Sequence, residues 1–379
     1  MGPTKVRCLM FGLGSGPFFI RDWAAAVATF AEVVGITVIR RFPSDSAQIW
    51  KGAALTSVGG FPVVMIKRPP LPKGVLGGLG RLLMRRQVLH AARWLIEEYG
   101  PINIIHSHFY SGAAVVPFVA SRLGVPFVHT EHSSALAGAS PENRVSRSGW
   151  RILRRVLSGA ARVFFVGSSQ LATVERLGLS GNFEVLPNPV DAASFHPNQQ
   201  GHEGLRLVTV GHLIPRKRHH LAIEAVSLIR AQGRQVTLEI VGGGRDEAKL
   251  RAFASSLGIE AAVNFRGRVP REEVAACLSR ADIYLHTSEM ESFGVSIVEA
   301  LFSGLPVVAI RAGGITDELP SRWGVTVQSP EPAALADAIV HLDLSLYIPD
   351  EIAAASKELF SSQKVALRLE QIYASVLAS

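Results

Sequence analysis

The stretch EMESFGVSIVEA, residues 289–300, sets two carboxylates, Glu291 and Glu299, eight positions apart with Phe293-Gly294 between them. It follows the apolar run DIYLHTS and leads into VSIVEALFSG, whose spacing is helical. A Phe-Gly break serves no purpose inside an ordinary amphipathic helix, but glycine lets the backbone turn tightly at the start of one. The amides of Gly294, Val295 and Ser296 then point out of the helix N-terminus, where they suit an anion such as phosphate. Glu299 follows about one and a half turns later. Two carboxylates flanking an amide nest describe a site for a diphosphate with a hydroxylated group on either side, which is the chemistry of a nucleotide sugar. The same spacing also fits a loop glutamate and a surface-helix glutamate with no ligand between them.

A second cluster is RKRHH, residues 216–220, between an apolar run and a helical pattern. Cations at a helix N-terminus oppose its dipole, so Arg216 and Lys217 call for a compensating anion; otherwise they are a solvated basic turn. Histidines gather in HSH (His106, His108) and HTEH (His129, His132), both at the ends of apolar runs. On residue type alone the four could bind a metal, but no carboxylate or cysteine completes a recognisable ligand spacing, so none is expected. GLGSG, with Gly14, Ser15 and Gly16, ends the first apolar run and lacks the last glycine of a dinucleotide fingerprint.

Positioning these groups requires elements that end where the motifs begin. Short apolar runs alternate with helical patterns: VRCLMFGL, a helix over about 21–33, then ITVIRRF, VVMIKR, INIIHSH, PFVHTEH and RVFFVGS with helices between. The pattern restarts near residue 205 with LRLVTVGHL, VTLEIVGGG, VNFRGRV, DIYLHTS and PVVAIRAGG, again separated by helices. Strands alternating with helices indicate βαβ units and open parallel sheets. Ligands in such sheets bind at the carboxyl ends of the strands, where every motif above lies. The Pro- and Asn-rich segment LPNPVDAASFHPNQQGHEG marks a boundary. The expected architecture is α/β, with two doubly wound Rossmann-like domains facing a central cleft. The first covers 1–190, the second 191–355, and a C-terminal helix over 356–379 packs back on the first.

The chain has 379 residues, 48% hydrophobic and 18% charged, a globular composition. Two distant cysteines, Cys8 and Cys277, exclude a disulfide framework and make a reducing cytoplasm the default. No apolar run is long enough to span a bilayer as a helix. Residues 1–200 carry 21 Lys and Arg against 10 Asp and Glu, and the remainder 18 against 21. A basic first half invites a phosphorylated substrate or an anionic membrane surface. Nucleic acid is not expected, because no recognition module accompanies the charge.

Taken together, these stretches resemble the retaining GT-B glycosyltransferases of family 4, the group 1 type. EMESFGVSIVEA resembles that family's E-x7-E motif, and LRLVTVGHLIPRKRHHLAIEAV its strand, basic loop and helix. FEVLPNPVDAASFHP resembles its domain boundary, and NIIHSHFYSGAAVVPFVASRLGVPFVHTEHSS the segment with the active-site histidine. The resemblance implies transfer of a hexose from a UDP or GDP sugar to an acceptor hydroxyl, without a cofactor or metal. It places Glu299 on the ribose, Glu291 on the transferred sugar, and the amides after Phe293 on sugar and phosphate. Arg216 and Lys217 would meet the donor diphosphate, and Arg268-Val269 the base. His132 would face the donor sugar, while Gly14, Ser15 and Gly16 approach donor or acceptor. His212 stands where the family usually has Arg, Arg218 where Gly is common, and Asn188-Pro189 where Asn-Gly is usual. The absence of D-x-D, Walker A, G-x-S-x-G and H-E-x-x-H motifs removes the commonest rival chemistries. A non-catalytic sugar-nucleotide-binding subunit, or a GT-B enzyme for epimerisation or sugar-phosphate transfer, are the alternatives.

Finally, GVLGGLGRLLMRRQVLHAARWL and RVSRSGWRILRRVLSGAARV are Arg-rich and apolar. In the second, Arg144, Arg147, Arg151, Arg154 and Arg155 gather toward one face beside Trp150, Ile152, Leu153, Val156 and Leu157. That is the composition of a helix lying in a bilayer interface, so peripheral attachment to the inner face of the cytoplasmic membrane, and a lipid-linked acceptor, are expected.

Overall fold

The computed structural model describes residues 6–12, 19–39, 47–50, 52–67, 76–137, 145–197 and 203–379. It divides into two compact units, 1–189 with 362–379, and 190–361.

The first unit runs β1 (Arg7–Phe11), α1 (Phe19–Ala28), β2 (Glu32–Ile39), β3 (Ala47–Trp50), β4 (Ala53–Val58), β5 (Phe61–Lys67), α2 (Leu76–Tyr99), β6 (Ile104–His108), α3 (Val116–Leu123), β7 (Phe127–Glu131), α4 (Arg147–Gly159), β8 (Arg162–Phe165), α5 (Ser168–Arg176) and β9 (Phe183–Val185). Its sheet, in the order β3-β4-β5-β2-β1-β6-β7-β8-β9, is parallel except for the β3-β4-β5 meander at one edge. Strand alternation splits the core in two. Leu9 and Phe11 face a cluster with Val88 and Leu95 of α2, Val116 of α3, and Leu153, Val156 and Leu157 of α4. Cys8 and Met10 face the other side, against Trp23, Ala24 and Val27 of α1.

The second unit runs β10 (Leu205–Val210), α6 (His219–Ala231), β11 (Val236–Val241), α7 (Glu247–Ser256), β12 (Val263–Gly267), α8 (Arg271–Ser279), β13 (Ile283–His286), α9 (Val295–Phe302), β14 (Val307–Ile310), β15 (Gly324–Val327), α10 (Pro332–Val340) and α11 (Pro349–Phe360). Its sheet is wholly parallel, in the order β12-β11-β10-β13-β14-β15. Strands buried on both faces read as near-continuous apolar runs, which LRLVTV, VTLEIV and PVVAI are. The chain order reverses between β10 and β13, so the loops after those two strands meet at a topological switch point.

After α11, the chain bonds back on itself: Val190 N donates to Phe360 O at 3.0 Å, and Val190 bridges Ser361 in parallel. The last helix, α12 (Ser362–Ala378), then belongs to the first unit, placing Leu369, Tyr373 and Val376 in the cluster with Trp23. The C-terminal helical stretch is thus two helices, of which α11 stays with the second unit.

Several sequence-based element assignments need correction. The first helix ends at Ala28, and Val33 lies in β2, because β-branched Val33 and Val34 fit a strand better than a helix. The meander strands β3 and β4, and the pair β15 and α10, were not anticipated. The larger correction concerns α4. Its exposed side carries Arg147, Arg151, Arg154 and Arg155, but Leu153, Val156 and Leu157 are fully buried in the unit's own core, with Trp150 and Ile152 packed against them. The apolar face expected to enter a bilayer is already occupied. Arg144 lies outside the described residues. Among the described residues, no helix is long and apolar enough to cross a membrane.

Candidate functional site

The second unit builds its site from the β10 and β13 loops. Residues 212–218 and 287–294 are stitched together at backbone carbonyls: Glu289 N donates to Arg216 O at 2.8 Å, and the Thr287 hydroxyl Oγ1 donates to Lys217 O at 2.8 Å. Side chains complete the stitch. Arg216 Nη1 donates to Met290 O at 2.9 Å, and Lys217 Nζ to Glu291 Oε2 at 2.7 Å. His286, the last residue of β13, sets Nε2 3.7 Å from the same carboxylate oxygen.

These neighbours determine charge. Burial would push the Glu291 carboxyl up, but Lys217, His286 and Arg216 outweigh it and hold the group below its ordinary value. His286 is driven the other way: burial, then the cations at Lys217 and Arg216, lower it to about 3, against a smaller opposing pull from Glu291. The cluster therefore presents an ionised carboxylate, an ammonium and a neutral imidazole.

The turn into α9 has the expected geometry. Gly294 caps the helix at φ 102°, a left-handed conformation that favours glycine. The first-turn amides, including those of Val295 and Ser296, have no intrahelical acceptor by construction. Ser296 Oγ accepts from Tyr284 Oη at 2.7 Å, which ties the start of α9 to β13. Phe293 is buried, its ring edge-on to Phe360, and its carbonyl accepts from Ile315 N at 2.9 Å. That contact needs Gly314, where a Cβ would lie 2.6 Å from Phe293 O. The loop after β14 also holds Glu291, whose N–H donates to Ala312 O at 2.6 Å. Glu299 lies in the second turn of α9, 6% exposed, with its Oε1 3.6 Å from Arg271 Nη2. His212, Arg268 and Val269 sit at the same carboxyl edge; His212 and Arg268 are exposed and Val269 is half-buried.

In the first unit, His132 follows β7 and is 4% exposed. Its Nε2 is 2.9 Å from His108 Nδ1, and the two rings stack at 5.2 Å. His108 in turn stacks on His106 at 4.5 Å. His106 Nδ1 lies 2.7 Å from Tyr373 Oη, and Nε2 lies 2.6 Å from Thr130 Oγ1. Trp23 stands edge-on to all three rings and donates Nε1 to Asn188 Oδ1 at 2.9 Å. Burial above all, and then the neighbouring imidazoles, lower His106, His108 and His132 well below the ordinary histidine value. The stack is neutral. Beside it, Phe109 adopts φ 58°, rare for a residue with a Cβ, and sets its ring 5.0 Å from His132. Such strained backbone clusters at functional sites.

Within the second unit the structure thus joins Lys217 and Glu291 directly and ties Arg216 to the same loop through Met290 O. Ser296 is linked to them through β13, while Glu299 has a partner of its own. Gly14, Ser15 and Gly16 lie outside the described residues. Among the described residues, no group of three His, Cys, Asp or Glu is arranged to hold a metal ion. His286 and Arg271 are site residues that the motifs do not mark. A histidine closing the strand DIYLHTS was the available signal for the first; nothing local marked the second.

The family model for Glycosyltransferase Family 4 matches residues 37–194, and that for Glycosyl transferases group 1 matches residues 193–342. The chain belongs to the family 4, or group 1, glycosyltransferases. This group 1 glycosyltransferase is 30% identical over 272 residues to a D-inositol 3-phosphate glycosyltransferase of Acidothermus cellulolyticus. That match spans 65% of this chain and 61% of the relative, less than two thirds of its length. A D-inositol 3-phosphate glycosyltransferase of Pseudarthrobacter chlorophenolicus is 29% identical, covering 94% of this chain and 90% of that one. The phosphatidylinositol N-acetylglucosaminyltransferase gpi3 subunit of Schizosaccharomyces pombe is 28% identical, covering 73% of this chain and 61% of that one. Among solved structures, the sucrose-phosphate synthase of Thermosynechococcus elongatus superposes with TM-score 0.76 at 20% identity, covering 99% of this chain and all of that one. The Anabaena protein HepE in complex with UDP gives 0.76 at 19%, covering 98% and 100%. These place the fold of the group 1 glycosyltransferase in the GT-B class.

Proposed function

We propose that this glycosyltransferase moves a hexose from a UDP or GDP sugar to a hydroxyl of a phosphate-bearing acceptor, with retention of configuration and without a metal. The observation that carries this reading is the Lys217–Glu291 pair, 2.7 Å apart at the switch point and directly before the α9 N-terminus. An ionised carboxylate there accepts hydroxyls of the transferred sugar. Lys217 has three donors, and the one on Glu291 leaves others for diphosphate oxygens. Lys217, Arg216 and the first amides of α9 then share the negative charge that grows on the leaving diphosphate, the usual largest source of rate in such transfers.

In the step itself the bond from C1 to the phosphate oxygen breaks, and a bond from C1 to the acceptor oxygen forms on the same face. The acceptor proton passes to the departing diphosphate. Glu291, held by Lys217, orients the sugar rather than attacking it. His132 belongs to the same reading as a fixed, neutral wall, since a stacked imidazole with lowered basicity is a poor proton carrier. Glu299 takes the ribose hydroxyls and Arg268-Val269 the base.

For the acceptor, the support is the basic first unit together with relatives named for D-inositol 3-phosphate and phosphatidylinositol, both phosphate-bearing cyclitols. The test is a thermal-shift screen of UDP, GDP and ADP sugars in EDTA, followed by product analysis with an inositol phosphate acceptor. A donor at 100 times its Kd should add about 2.7 kcal/mol, and the product should keep the donor's anomeric configuration. Turnover abolished by EDTA and restored by Mn²⁺ would remove the metal-free reading, and an inverted product the retaining one.

A further inference from the structure

Glu299 is almost fully buried, and a carboxylate so placed needs a cation beside it. Arg271, the first residue of α8, supplies one. Its Nη2 lies 3.6 Å from Glu299 Oε1, donates to Asp191 O at 3.0 Å, and its guanidinium carbon stands 5.2 Å from the centre of the Phe195 ring. These contacts differ in kind. The hydrogen bond and the ring fix the guanidinium plane on the segment that opens the second unit. The approach to Glu299 is longer than a hydrogen bond, so Arg271 acts on the carboxylate as a charge rather than as a donor. Arginine suits this task because its fork is planar, always charged and weakly hydrated.

We propose that Arg271 is a positioning residue for the nucleotide: held by Asp191 and Phe195, it keeps the Glu299 carboxylate aimed so that it accepts the ribose diol. It thereby sets the preference for ribonucleotide over deoxyribonucleotide donors. The inference rests on the ribose role of Glu299 proposed above. Arg271 makes no contact with the reacting atoms in this scheme, so its loss acts on nucleotide binding and KM and leaves kcat nearly unchanged.

The experiment is calorimetric titration of the full chain with UDP and with 2′,3′-dideoxy-UDP, and in parallel with GDP and its dideoxy analogue. Wild type, Arg271→Met, Arg271→Lys and Glu299→Gln are compared. A charge-assisted contact to the diol predicts that wild type prefers the ribonucleotide by roughly 10- to 100-fold. Arg271→Met should shrink that ratio to about threefold by weakening the ribonucleotide alone, with dideoxy binding within about twofold of wild type. Arg271→Lys should restore most of the ratio. A general packing defect would weaken both ligands equally, and that result, or an unchanged ratio in Arg271→Met, overturns the proposal. If Glu299→Gln keeps the full ratio, the ribose role of Glu299 fails and this inference with it. If wild type binds neither nucleotide, the proposed donor class itself is wrong. Binding of dideoxy-UDP by each variant certifies that its site is folded.

Discussion

At the scale of single residues, the two glutamates of one motif live in different electrostatic company. Glu291 is paired with Lys217 and stands near a neutral His286; Glu299 is paired with Arg271. Their substitutions should therefore separate. Glu291→Gln should leave binding of bare UDP or GDP within about threefold but reduce turnover by roughly 10²- to 10³-fold, the scale for losing an oriented contact at the reacting centre. Glu299→Gln should weaken the bare nucleotide and the full donor alike. Equal nucleotide loss in both variants would show that the division of labour is wrong. Because Glu291 is held below the ordinary carboxylate value, it stays ionised down through pH 5, so a turnover profile from pH 8 to 5 should show no loss traceable to it. Much of this site was legible. The carboxylates, the Phe-Gly break and the basic loop are local in sequence. The Lys217–Glu291 bond joins residues 74 positions apart, and the Arg271–Glu299 pair joins two helices; neither spacing leaves a local signal.

At the scale of elements, two loops carry measurable strain and one strand pair carries a pH dependence. Arg218 sits at φ 49° between the basic loop and α6, at the position where the family resemblance gives glycine. A left-handed residue with a Cβ costs about 1–2 kcal/mol. Arg218→Gly should thus be more stable than Arg218→Ala by about 1 kcal/mol in urea unfolding, the pair of variants cancelling the loss of charge. Equal stability would mean that the loop relaxes without cost. The histidine stack at the ends of β6 and β7 predicts the pH term. His106, His108 and His132 stay neutral in the fold but charge in the unfolded chain near pH 6.5, so the unfolded state binds more protons below that pH. Stability is complete above about pH 6.5 and falls as the pH drops below it, by up to about 1.4 kcal/mol per pH unit for each histidine. His219, lowered to about 4, and His286, lowered to about 3, add to the same slope in the second unit. A double variant His106→Gln, His108→Gln should flatten the decline between pH 6.5 and 5; a slope unchanged from wild type would place the acid sensitivity elsewhere. Most strands and helices could be read from apolar runs and periodicity. Strands β3 and β4 could not, because they are short and Gly52, Gly59 and Gly60 beside them read as loop. The role of α4 is not legible in the sequence for a deeper reason. An amphipathic pattern states that a helix has an apolar face, not what covers it, and here the sheet does.

At the scale of the whole molecule, the charge asymmetry seen in the sequence remains on the surface after α4 is set aside as an inserting helix. Its four described arginines are exposed, and the start of α2 exposes Leu79, Leu82 and Leu83 beside Arg81 and Arg86. If the acceptor is lipid-borne, attachment should be electrostatic first and apolar second. Co-sedimentation should appear with anionic vesicles and vanish with neutral ones or high salt. It should weaken when Arg151, Arg154 and Arg155 are changed to Glu, and also when Leu79, Leu82 and Leu83 are changed to Ser. Sedimentation untouched by both sets would dismiss this surface. At this scale the two-sheet plan was readable because the alternation of elements restarts near residue 205. The return of the chain to its first unit was only approximately placed, since one helical stretch conceals both α11 and α12. That return has a consequence for biosynthesis. The strands of the first sheet are translated before the second unit, yet the helix that covers Met10, Ile104 and Phe164 with Leu369 and Tyr373 is translated after it. At about 5–20 residues per second, the whole second unit must emerge in between, a delay of roughly 10–30 s. Throughout that interval, among the described residues, α1 is the helix that shields that face of the nascent sheet, so apolar surface on the ribosome-bound chain stays open to water until α12 arrives.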